Sequence, residues 1–430
     1  MKIIHTADLH LGQILYQNYD RSEEHRHFFE QLEKWCKEER PDALIVSGDV
    51  FDIQLPSVST RKKFNEHFVR LQKMLPEMHI VITAGNHDSA SRIQADHDVW
   101  TFSNTHLIGI APAATAEDGW QDNYIIALDS GFIIAMPYAL GDRSQQLQSV
   151  LDRVAERNPD QKPVVMMGHL AVTGLDPTGH NFEIGKIKTQ NASELGTGYD
   201  YLALGHIHKP QTIGHPEDCM KMETVTYPAP VIRYSGSALH VSCDEQYPHT
   251  VSVVDIDRHG GNVSIRQLRI DELLHFYTLP EEAEAAFSDE KEALQTIETF
   301  CKTTKKGYFR LKVDASAKIS PNFNQMVYDQ IAPYGNDVRF NPKIFWLGQN
   351  ASSETLIEKP EFEVAELQEM KDPLVFIEKT KDQYPDLDFS LLPSLFEEVE
   401  KEIKHIREEE AKKKKKAKAA KDNEDESVQE

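Results

Sequence analysis

Residues 1–12 read MKIIHTADLHLG, in which the mostly apolar run Ile3–Ala7 is followed at once by Asp8 and His10. A short apolar run bounded by polar residues is typical of a buried strand. In an extended chain, residues two apart point to the same side, so the Asp8 and His10 side chains can face one cleft. The beginning of the sequence therefore predicts a buried strand that carries two potential metal ligands at its carboxyl end.

The same arrangement recurs four times before residue 210. The later runs are Ala43–Ser47, Ile80–Thr83, Val164–Met167 and Tyr201–Leu204, followed by Gly48-Asp49, Gly85-Asn86-His87-Asp88, Gly168-His169 and Gly205-His206-Ile207-His208. Ligands of open α/β sheets bind beyond the carboxyl ends of the strands. A lone H-x-H motif arises by chance about once in such a chain, so the prediction rests on the five clusters together. The predicted metal ligands are Asp8, His10, Asp49, Asn86, His169, His206 and His208.

Amphipathic stretches between these runs are typical of helices. Residues 1–270 are therefore predicted to form an α/β domain with either one mixed sheet or a sandwich of two sheets. The stretch after Asp20 is a predicted helix whose capping box pairs Asp20 with Glu23. His25-Arg26-His27 lies in this helix and is predicted to belong to a solvent-exposed face.

The sequence changes character after residue 270. An acidic helix over Pro280–Thr299 and a strand over Tyr308–Val313 predict a small α+β module. The predicted parts are a catalytic domain over 1–270, an α+β capping and DNA-binding domain over 271–350, a linker with partner-binding helices over 351–410, and a disordered charged tail over 411–430. The predicted fold class is thus α/β, with a small α+β cap and a helical C-terminal extension.

Composition narrows the class of protein. The chain has 430 residues, a net charge of −23 and 40% hydrophobic residues, and that hydrophobic fraction is ordinary for a soluble protein. No apolar run approaches the ~18 residues that span a bilayer, and the four cysteines form no C-x-x-C pair. We therefore expect a cytoplasmic protein without a disulfide scaffold or a membrane span. The negative charge does not exclude nucleic acid, because bound cations or a basic groove can reverse the local field.

The ligand types indicate which metal is bound. Carboxylate, imidazole and amide ligands without a thiolate favour manganese or iron over structural zinc. Seven side chains are too many for one ion and suit two ions about 3.5–4 Å apart, bridged by a carboxylate. Asp49 is the predicted bridge, because it is the lone carboxylate of its cluster and follows a strand directly. Two such ions activate water and clamp a phosphate ester for hydrolysis.

His87 is predicted to act on the substrate instead of binding metal. It adjoins the predicted ligand Asn86, so the two side chains should diverge, and His87 can protonate or stabilise the leaving-group oxygen. Asp52 can accept a hydrogen bond from the other ring nitrogen and so orient the ring. The alternatives are that His87 is an eighth ligand or a packing residue, and that Asp52 only caps a turn.

These residues resemble the calcineurin-type metallophosphoesterases and, more narrowly, the SbcD family of double-strand-break nuclease subunits. The motifs that carry the resemblance are HTADLHLG at 5–12, SGDVFD at 47–52, AGNHDS at 84–89, GHL at 168–170, LGHIHKPQ at 204–211 and YSGS at 234–237. They cover the first 270 residues, whereas the cap and the tail are similar only in plan. The resemblance implies a metallophosphoesterase sandwich of two sheets flanked by helices.

The resemblance also implies a manganese-dependent nuclease of DNA end processing, recombination, repair and replication, with iron or magnesium as alternative metals. The implied activities are a 3′–5′ exonuclease on duplex DNA, driven by an SbcC-like ATPase partner, and an endonuclease on single strands and hairpins. A homodimer within a heterotetramer is implied as well. The implied metal sites are Asp8, His10, Asp49 and His208 for one ion and Asp49, Asn86, His169 and His206 for the other, with His87 as the proton donor.

Three other functions share parts of this pattern. A protein serine/threonine phosphatase has the same metal core, but an arginine usually follows its G-D-x-x-D segment, whereas Asp52 is followed by Ile53-Gln54. A small phosphodiesterase for cyclic nucleotides or lipid precursors fits the motifs but does not need residues 271–410. A non-enzymatic scaffold with a decayed metal core is disfavoured, because no ligand is missing.

Basic and apolar residues outside the motifs indicate interaction surfaces. The predicted contacts to DNA phosphates are Lys186, Lys188, Lys209, Lys305, Lys306 and Arg310. Each of them is, in the alternative, a solvated surface residue. An apolar stripe at helical spacing predicts a helix that docks on the ATPase partner or, in the alternative, packs on the cap. The stripe comprises Leu391, Leu392, Leu395, Phe396, Val399, Ile403 and Ile406, whereas His215, His240, Tyr247 and His249 are assigned no chemistry.

Overall fold

The computed structural model describes residues 1–347 except residues 17, 114–117, 179–188, 219–220, 283–284 and 304–305. Several predicted site residues lie outside the described residues: Lys186, Lys188, Lys305, Leu391, Leu392, Leu395, Phe396, Val399 and Ile403. The predicted regions 351–410 and 411–430 lie outside them as well. The division at residue 270 remains a prediction.

Strands and helices of the described residues are numbered here in chain order. The strands are β1 (Lys2–Thr6), β2 (Ile14–Leu15), β3 (Tyr19–Asp20), β4 (Ala43–Ser47), β5 (His79–Thr83), β6 (Thr105–Ile108), β7 (Ile125–Leu128), β8 (Gly131–Ala135), β9 (Val164–His169), β10 (Tyr201–Gly205), β11 (Gln211–Thr212), β12 (Val225–Pro228), β13 (Val231–Tyr234), β14 (Thr250–Ile256), β15 (Asn262–Arg269), β16 (His275–Leu279), β17 (Gly307–Asp314), β18 (Val338–Phe340) and β19 (Phe345–Leu347). The α-helices are α1 (Ser22–Glu39), α2 (Val58–Met74), α3 (Ala90–Ala95), α4 (His97–Thr101), α5 (Ser144–Arg157), α6 (Glu290–Lys302) and α7 (Phe323–Ile331).

Two mixed sheets form the larger part of the described chain. The first has the strand order β12-β15-β14-β1-β4-β5-β6, in which β1, β4, β5 and β6 are parallel. The second has the order β11-β13-β10-β9-β8-β7, in which β13, β10, β9 and β8 are parallel. The parallel strands therefore form one side of the first sheet, out to its edge strand β6, and the middle of the second sheet. Their carboxyl ends can share one edge of the sandwich.

The two sheets pack face to face. Alternate residues of a strand point to opposite sides of its sheet, so each central strand contributes side chains to the core between the sheets and to an outer core. Ile3 of β1 is buried in the same core cluster as Val165 of β9. The neighbouring Ile4 instead packs with Phe28 of α1 and Phe68 of α2, which cover the outer face of the first sheet. The structure thus distinguishes between the two sequence-based possibilities and confirms a two-sheet sandwich flanked by helices.

The five strands that were predicted to carry ligands are confirmed to within two residues at each end. Among the described residues, no helix has the length and apolar character needed to cross a membrane. The acidic helix of the cap is shorter than predicted and begins at Glu290 instead of Pro280. The helix starts later because the residues before it make other contacts. Phe287 forms a β-bridge with Val313, and the Asp289 side chain caps the helix by accepting from the Glu292 amide at 2.9 Å.

The predictions for the beginning of α1 are wrong in two respects. No side chain caps the helix at Arg21, and Glu23 pairs with Arg26 at 2.7 Å instead of completing a capping box. His25 was predicted to be solvent-exposed but is buried, and its Nε2–H donates to the Leu9 carbonyl at 2.9 Å. This bond joins α1 to the loop that follows β1.

A smaller unit, here called the cap, comprises β16–β19 with α6 and α7. Its strands pair in parallel around β17, and Ile297, Leu311 and Val327 lie in its separate core. The cap docks on α1 through a buried carboxylate, because the Tyr308 hydroxyl donates to Glu24 Oε1 at 2.7 Å. Burial alone would raise the pKa of Glu24, but its hydrogen bonds and Arg21 lower it.

His25 should make stability depend on pH. Burial and the nearby Arg21 lower the pKa of His25 to about 4, below the value near 6.5 of an unfolded chain. Between these values the unfolded state binds more protons, so stability should fall as the pH falls. In His25→Gln, whose amide can still donate to Leu9, the loss of unfolding free energy between pH 7 and pH 5 should be about 2 kcal/mol smaller than in the wild type. Denaturant unfolding at both pH values measures this, and an equal loss in both proteins would contradict it.

Candidate metal centre

The ends of the parallel strands bring the predicted ligands together in turns of unusual conformation. Asp8, His10, Asp49 and His206 have φ angles of 51°, 45°, 46° and 88°. Such angles are rare for residues other than glycine and cost on the order of 1–3 kcal/mol each. Main-chain bonds hold these turns, because the Asp8 amide donates to Gly48 and the His10 amide to Asp49, both at 3.0 Å. The strained turns therefore lie where ligands are needed.

Glycines allow these turns to approach one another closely. A Cβ atom on Gly48 would lie 2.2 Å from Nδ1 of His169, and one on Gly85 would lie 2.1 Å from Oδ1 of Asp49. Any larger residue would clash at both positions. The G-D and G-N-H-D motifs therefore have glycine because the ends of β4, β5 and β9 meet there.

One group of predicted ligands surrounds His169. Its Nδ1–H donates to the Ser47 carbonyl at 2.9 Å, which leaves Nε2 to face the centre. This Nε2 lies 3.3 Å from Oδ2 of Asp49 and 3.0 Å from Oδ1 of Asn86. The same Asn86 oxygen lies 3.0 Å from Nδ1 of His206.

A second group shares Asp49 with the first. Asp8, His10 and His208 present ligand atoms within 4.8 Å of one another, and Asp8 also lies within 4.8 Å of Asp49 and His169. Nε2 of His10 lies 4.0 Å from Oδ2 of Asp49. The structure thus brings all seven predicted ligands together in two overlapping groups, with Asp49 between them.

The charges of this centre suit divalent cations. Burial lowers the pKa of His10, but the carboxylates of Asp52, Asp49 and Asp8 outweigh burial and raise it to about 9. Burial raises the pKa of Asp8, whereas His169 and His10 hold that of Asp49 well below its usual value. Both ring nitrogens of His10 are buried and make no hydrogen bond to any described residue, although Oδ1 of Asp52 lies 3.3 Å from Nδ1. The negative field that holds a proton on His10 would equally attract a divalent cation in its place. Carboxylate oxygens and imidazole nitrogens are the donors that such ions bind, so the residues present fit a pair of them.

His87 lies at the mouth of the centre, where it is exposed. Its main-chain amide donates to Oδ1 of Asp49 at 2.8 Å, and its Nδ1–H donates to the main-chain carbonyl of Asp52 at 2.9 Å. The predicted contact with Asp52 is therefore made by the main chain and not by the carboxylate. The Asp52 carboxylate instead lies 3.3 Å from Nδ1 of His10, because the turn after β4 directs it back toward the metal centre.

Two buried carboxylates support the centre and were missed by sequence reasoning. Asp88 accepts from the amides of Val50, Phe51 and Gly85 at 2.9–3.0 Å, so it ties the two ligand turns together. Glu245 accepts from Nδ1 of His208 at 2.7 Å. Asp88 could have been recognised from the sequence, because it belongs to the G-N-H-D motif that carries Asn86 and His87. No local pattern marks Glu245, since it follows His208 by 37 residues.

The described basic residues that were predicted to contact DNA are paired with carboxylates. Lys209 pairs with Asp176, and Arg310 lies 2.5 Å from Asp244 with little exposure of its side chain. Lys306 is exposed and lies 3.0 Å from Asp337; such surface pairs exchange easily for other anions. These placements weaken the prediction for Lys209 and Arg310 and leave Lys306 as the accessible cation among the three.

Comparison with known proteins shows which family the first 210 residues resemble. The profile of the calcineurin-like phosphoesterases matches residues 1–210, which contain all seven predicted ligands and His87. Residues 1–210 are thus similar to this family, as the motifs of the sequence predicted.

The chain is also similar to proteins named as the D component of the nuclease SbcCD. The one from Escherichia coli K12 is 30% identical over 276 residues, which cover 59% of this chain and 65% of that protein. The one from Rhodobacter capsulatus is 26% identical over 327 residues, which cover 69% and 76% of the two chains. The match therefore spans just under two thirds of the Escherichia coli relative. Among solved structures, a dimetal phosphatase from Danio rerio covers 63% of this chain and 99% of its own, with a TM-score of 0.30 and 10% identity, which is too weak to carry an argument.

Gly85→Ala should disrupt the centre. Its methyl group would clash with Asp49, and overpacking of this kind costs typically ~1–3 kcal/mol. We expect a lower melting temperature and a lower content of bound divalent metal, measured by thermal unfolding and elemental analysis. Gly168→Ala is the matched control, because it precedes His169 and its methyl group would meet only the flexible ends of leucine side chains, of which Leu204 at 3.2 Å is the nearest. Equal stability and metal content of the two variants would contradict the role of Gly85.

Proposed function

We propose that this protein is a metal-dependent nuclease that hydrolyses phosphodiester bonds of DNA. The observation that carries the proposal is that the seven proposed ligand side chains, Asp49 among them, lie together in two overlapping groups, with His87 exposed beside them. The similarity to proteins named as nuclease components supports DNA as the substrate. The absence of an arginine after Asp52 in the sequence argues against a phosphomonoesterase.

Two divalent ions would be held by overlapping sets of residues. The proposed ligands are Asp8, His10, Asp49 and His208 for one ion and Asp49, Asn86, His169 and His206 for the other. The position of Asp49 Oδ2 between the rings of His10 and His169 supports its role as the bridge. Such a pair of ions polarises the phosphate and activates water. We propose manganese, because the ligands are oxygen and imidazole atoms without thiolate, with iron or magnesium as alternatives.

His87 is proposed to protonate the leaving-group oxygen. The Asp52 carbonyl takes up the Nδ1–H, so the ring is held in one orientation and Nε2 remains for the substrate. The ring lies edge-on to His10 at 4.9 Å between centroids, which places it beside the ligands. A positioned acid of this kind typically contributes ~10²–10⁴-fold to the rate.

The detailed activities follow the resemblance to the SbcD family. We propose 3′–5′ exonuclease activity on duplex DNA that depends on an SbcC-like ATPase, and endonuclease activity on single strands and hairpins. The setting would be DNA recombination, repair and replication in the cytoplasm. Purified protein with manganese should cleave single-stranded and hairpin DNA and leave a phosphomonoester intact. Turnover of the monoester alone would support a phosphatase instead.

His87→Asn should separate catalysis from metal binding. The asparagine amide can still donate to the Asp52 carbonyl, but no group remains to protonate the leaving oxygen. We expect cleavage of DNA to fall by ~10²–10⁴-fold while the manganese content stays as in the wild type. A phosphodiester with a p-nitrophenyl leaving group, which departs without a proton, should be hydrolysed with a much smaller loss.

Asn86→Ala provides the contrast for this test, because it removes a proposed ligand next to His87 in sequence. It should lose bound manganese and should cleave both substrates poorly. Loss of a manganese ion in His87→Asn would show that His87 is a ligand. An equal rate loss on both substrates would show that His87 does not act as the proton donor.

The partner-binding segment is proposed from the sequence alone. The apolar stripe from Leu391 to Ile406 is flanked by acidic residues, which suits a helix that docks its apolar face in a groove. We propose that it binds the ATPase partner, and that two copies of each protein assemble into a heterotetramer.

A double variant tests this segment. Leu395→Glu with Phe396→Glu should weaken co-purification with the ATPase partner by orders of magnitude, since each buried apolar side chain contributes roughly 1.5–3 kcal/mol. The matched control, Glu397→Gln with Glu398→Gln, changes neighbouring polar positions and should co-purify normally. Unchanged co-purification of the first variant, with unchanged melting, would show that the partner docks elsewhere.

A further inference from the structure

A second buried group of metal-type ligands lies beside the proposed catalytic centre. His240, Glu245 and His249 present ligand atoms within 4.8 Å of one another. Their exposed fractions are 7%, 1% and 1%. They belong to the connection between β13 and β14, outside the seven ligands predicted from sequence.

The hydrogen bonds of the two histidines fix which nitrogen faces the group. His249 Nδ1 lies 2.9 Å from the Ser237 carbonyl, which can only accept, so Nδ1 carries the hydrogen and Nε2 has a free lone pair. His240 Nε2 lies 2.9 Å from Oε1 of Glu272, so here Nε2 carries the hydrogen and Nδ1 has the lone pair. An imidazole whose outer N–H is anchored by a carbonyl or carboxylate is the usual state of a metal-binding histidine.

Both lone pairs point into the group without a partner. His240 Nδ1 and His249 Nε2 are buried and make no hydrogen bond to any described residue. His249 Nε2 faces Oε2 of Glu245 at 3.4 Å, which is longer than an N–H···O bond. Lone pairs and an anionic oxygen that face one another repel unless a cation lies among them.

The spacing fits one small ion. Two ligands that each lie ~2.0–2.1 Å from a tetrahedral zinc ion are about 3.3–3.4 Å apart, and the distance between His249 and Glu245 is 3.4 Å. Two histidines and one glutamate are also a known ligand set for zinc, with a fourth position left for water.

A group of similar composition, with the half-exposed His215, differs because a lysine lies beside its carboxylates. His215, Glu217 and Asp218 also present ligand atoms within 4.8 Å of one another. There Lys221 lies 2.5 Å from Asp218 and supplies the positive charge, and His215 is half-exposed to water. Here a lysine balances the carboxylate charge. In the buried group Oε2 of Glu245 accepts from the Val241 amide at 2.9 Å, but the two inward ring nitrogens have no hydrogen-bond partner among the described residues.

We propose that His240, Glu245 and His249 bind a zinc ion, as a third metal site distinct from the Asp49 centre. The site joins two functional parts of the chain. Glu245 uses its other oxygen to hold His208, a proposed catalytic ligand, and Glu272, which anchors His240, directly precedes the cap. A bound ion would therefore fix the orientation of His208 and the position of the segment that enters the cap.

Zinc content per chain tests the site directly. Metal-free full-length protein is loaded with Zn²⁺, dialysed and analysed for zinc. His249→Asn keeps the donor to Ser237 and His240→Gln keeps the donor to Glu272, but each removes one ligand nitrogen. Each variant should bind one zinc ion fewer per chain than the wild type, while the control His215→Gln should bind the same number. The difference between variants does not depend on whether the Asp49 centre is a nuclease site.

A cysteine variant gives a signal that loss of folding cannot imitate. His249→Cys places a thiolate among the ligands, so cobalt-loaded protein should show a thiolate-to-cobalt charge-transfer absorption that the wild type lacks. His215→Cys is the matched control and should not show it. Equal zinc content in all variants, or the same absorption in both cysteine variants, would overturn the proposal.

Discussion

The close approach of the turn at Gly48 and Asp49 to His169 is the contact on which the site depends. It requires that a strand of each sheet end at the same level, so the register of the whole sandwich sets the distances between ligands. Metal sites tolerate errors of only about 0.2 Å in ligand distance. Glycine at positions 48 and 85 is therefore a condition for the chemistry and not merely a feature of the turns.

Helix α1 connects the cap with the metal centre through two consecutive residues. The Glu24 carboxylate accepts a hydrogen bond from Tyr308 of the cap. The His25 ring donates one to the carbonyl of Leu9, which lies between Asp8 and His10. Both bonds are buried, and breaking a buried hydrogen bond leaves an unpaired group at a cost of about 1–3 kcal/mol. A movement of the cap would therefore break these bonds or carry α1, and with it the loop that bears the ligands.

The sequence predicted the features that local pattern determines. Apolar runs that end in ligand-type residues indicated both the strands and Asp49, because the side chains and the strand ends are neighbours in the chain. Partners brought close by the fold were not predictable, as Glu245 shows. His25 was placed on the wrong face of α1, because its polarity indicated solvent while the Leu9 carbonyl provides a buried partner. The Asp52 carboxylate was misassigned because a turn decides its direction.

The charge of the molecule explains why a metal would be needed to hold a polyanion. The chain has a net charge of −23, and Lys209 and Arg310 are already paired with carboxylates. In the proposed function, the ions in the cleft would therefore supply much of the attraction for a phosphate backbone, since bound divalent cations are often the largest local charges in a site. Two ions at the Asp49 centre would reverse the field of its buried carboxylates at the place where His87 is exposed. Substrate binding and catalysis would then both require the same metal loading, and the negative surface elsewhere would direct DNA toward that cleft.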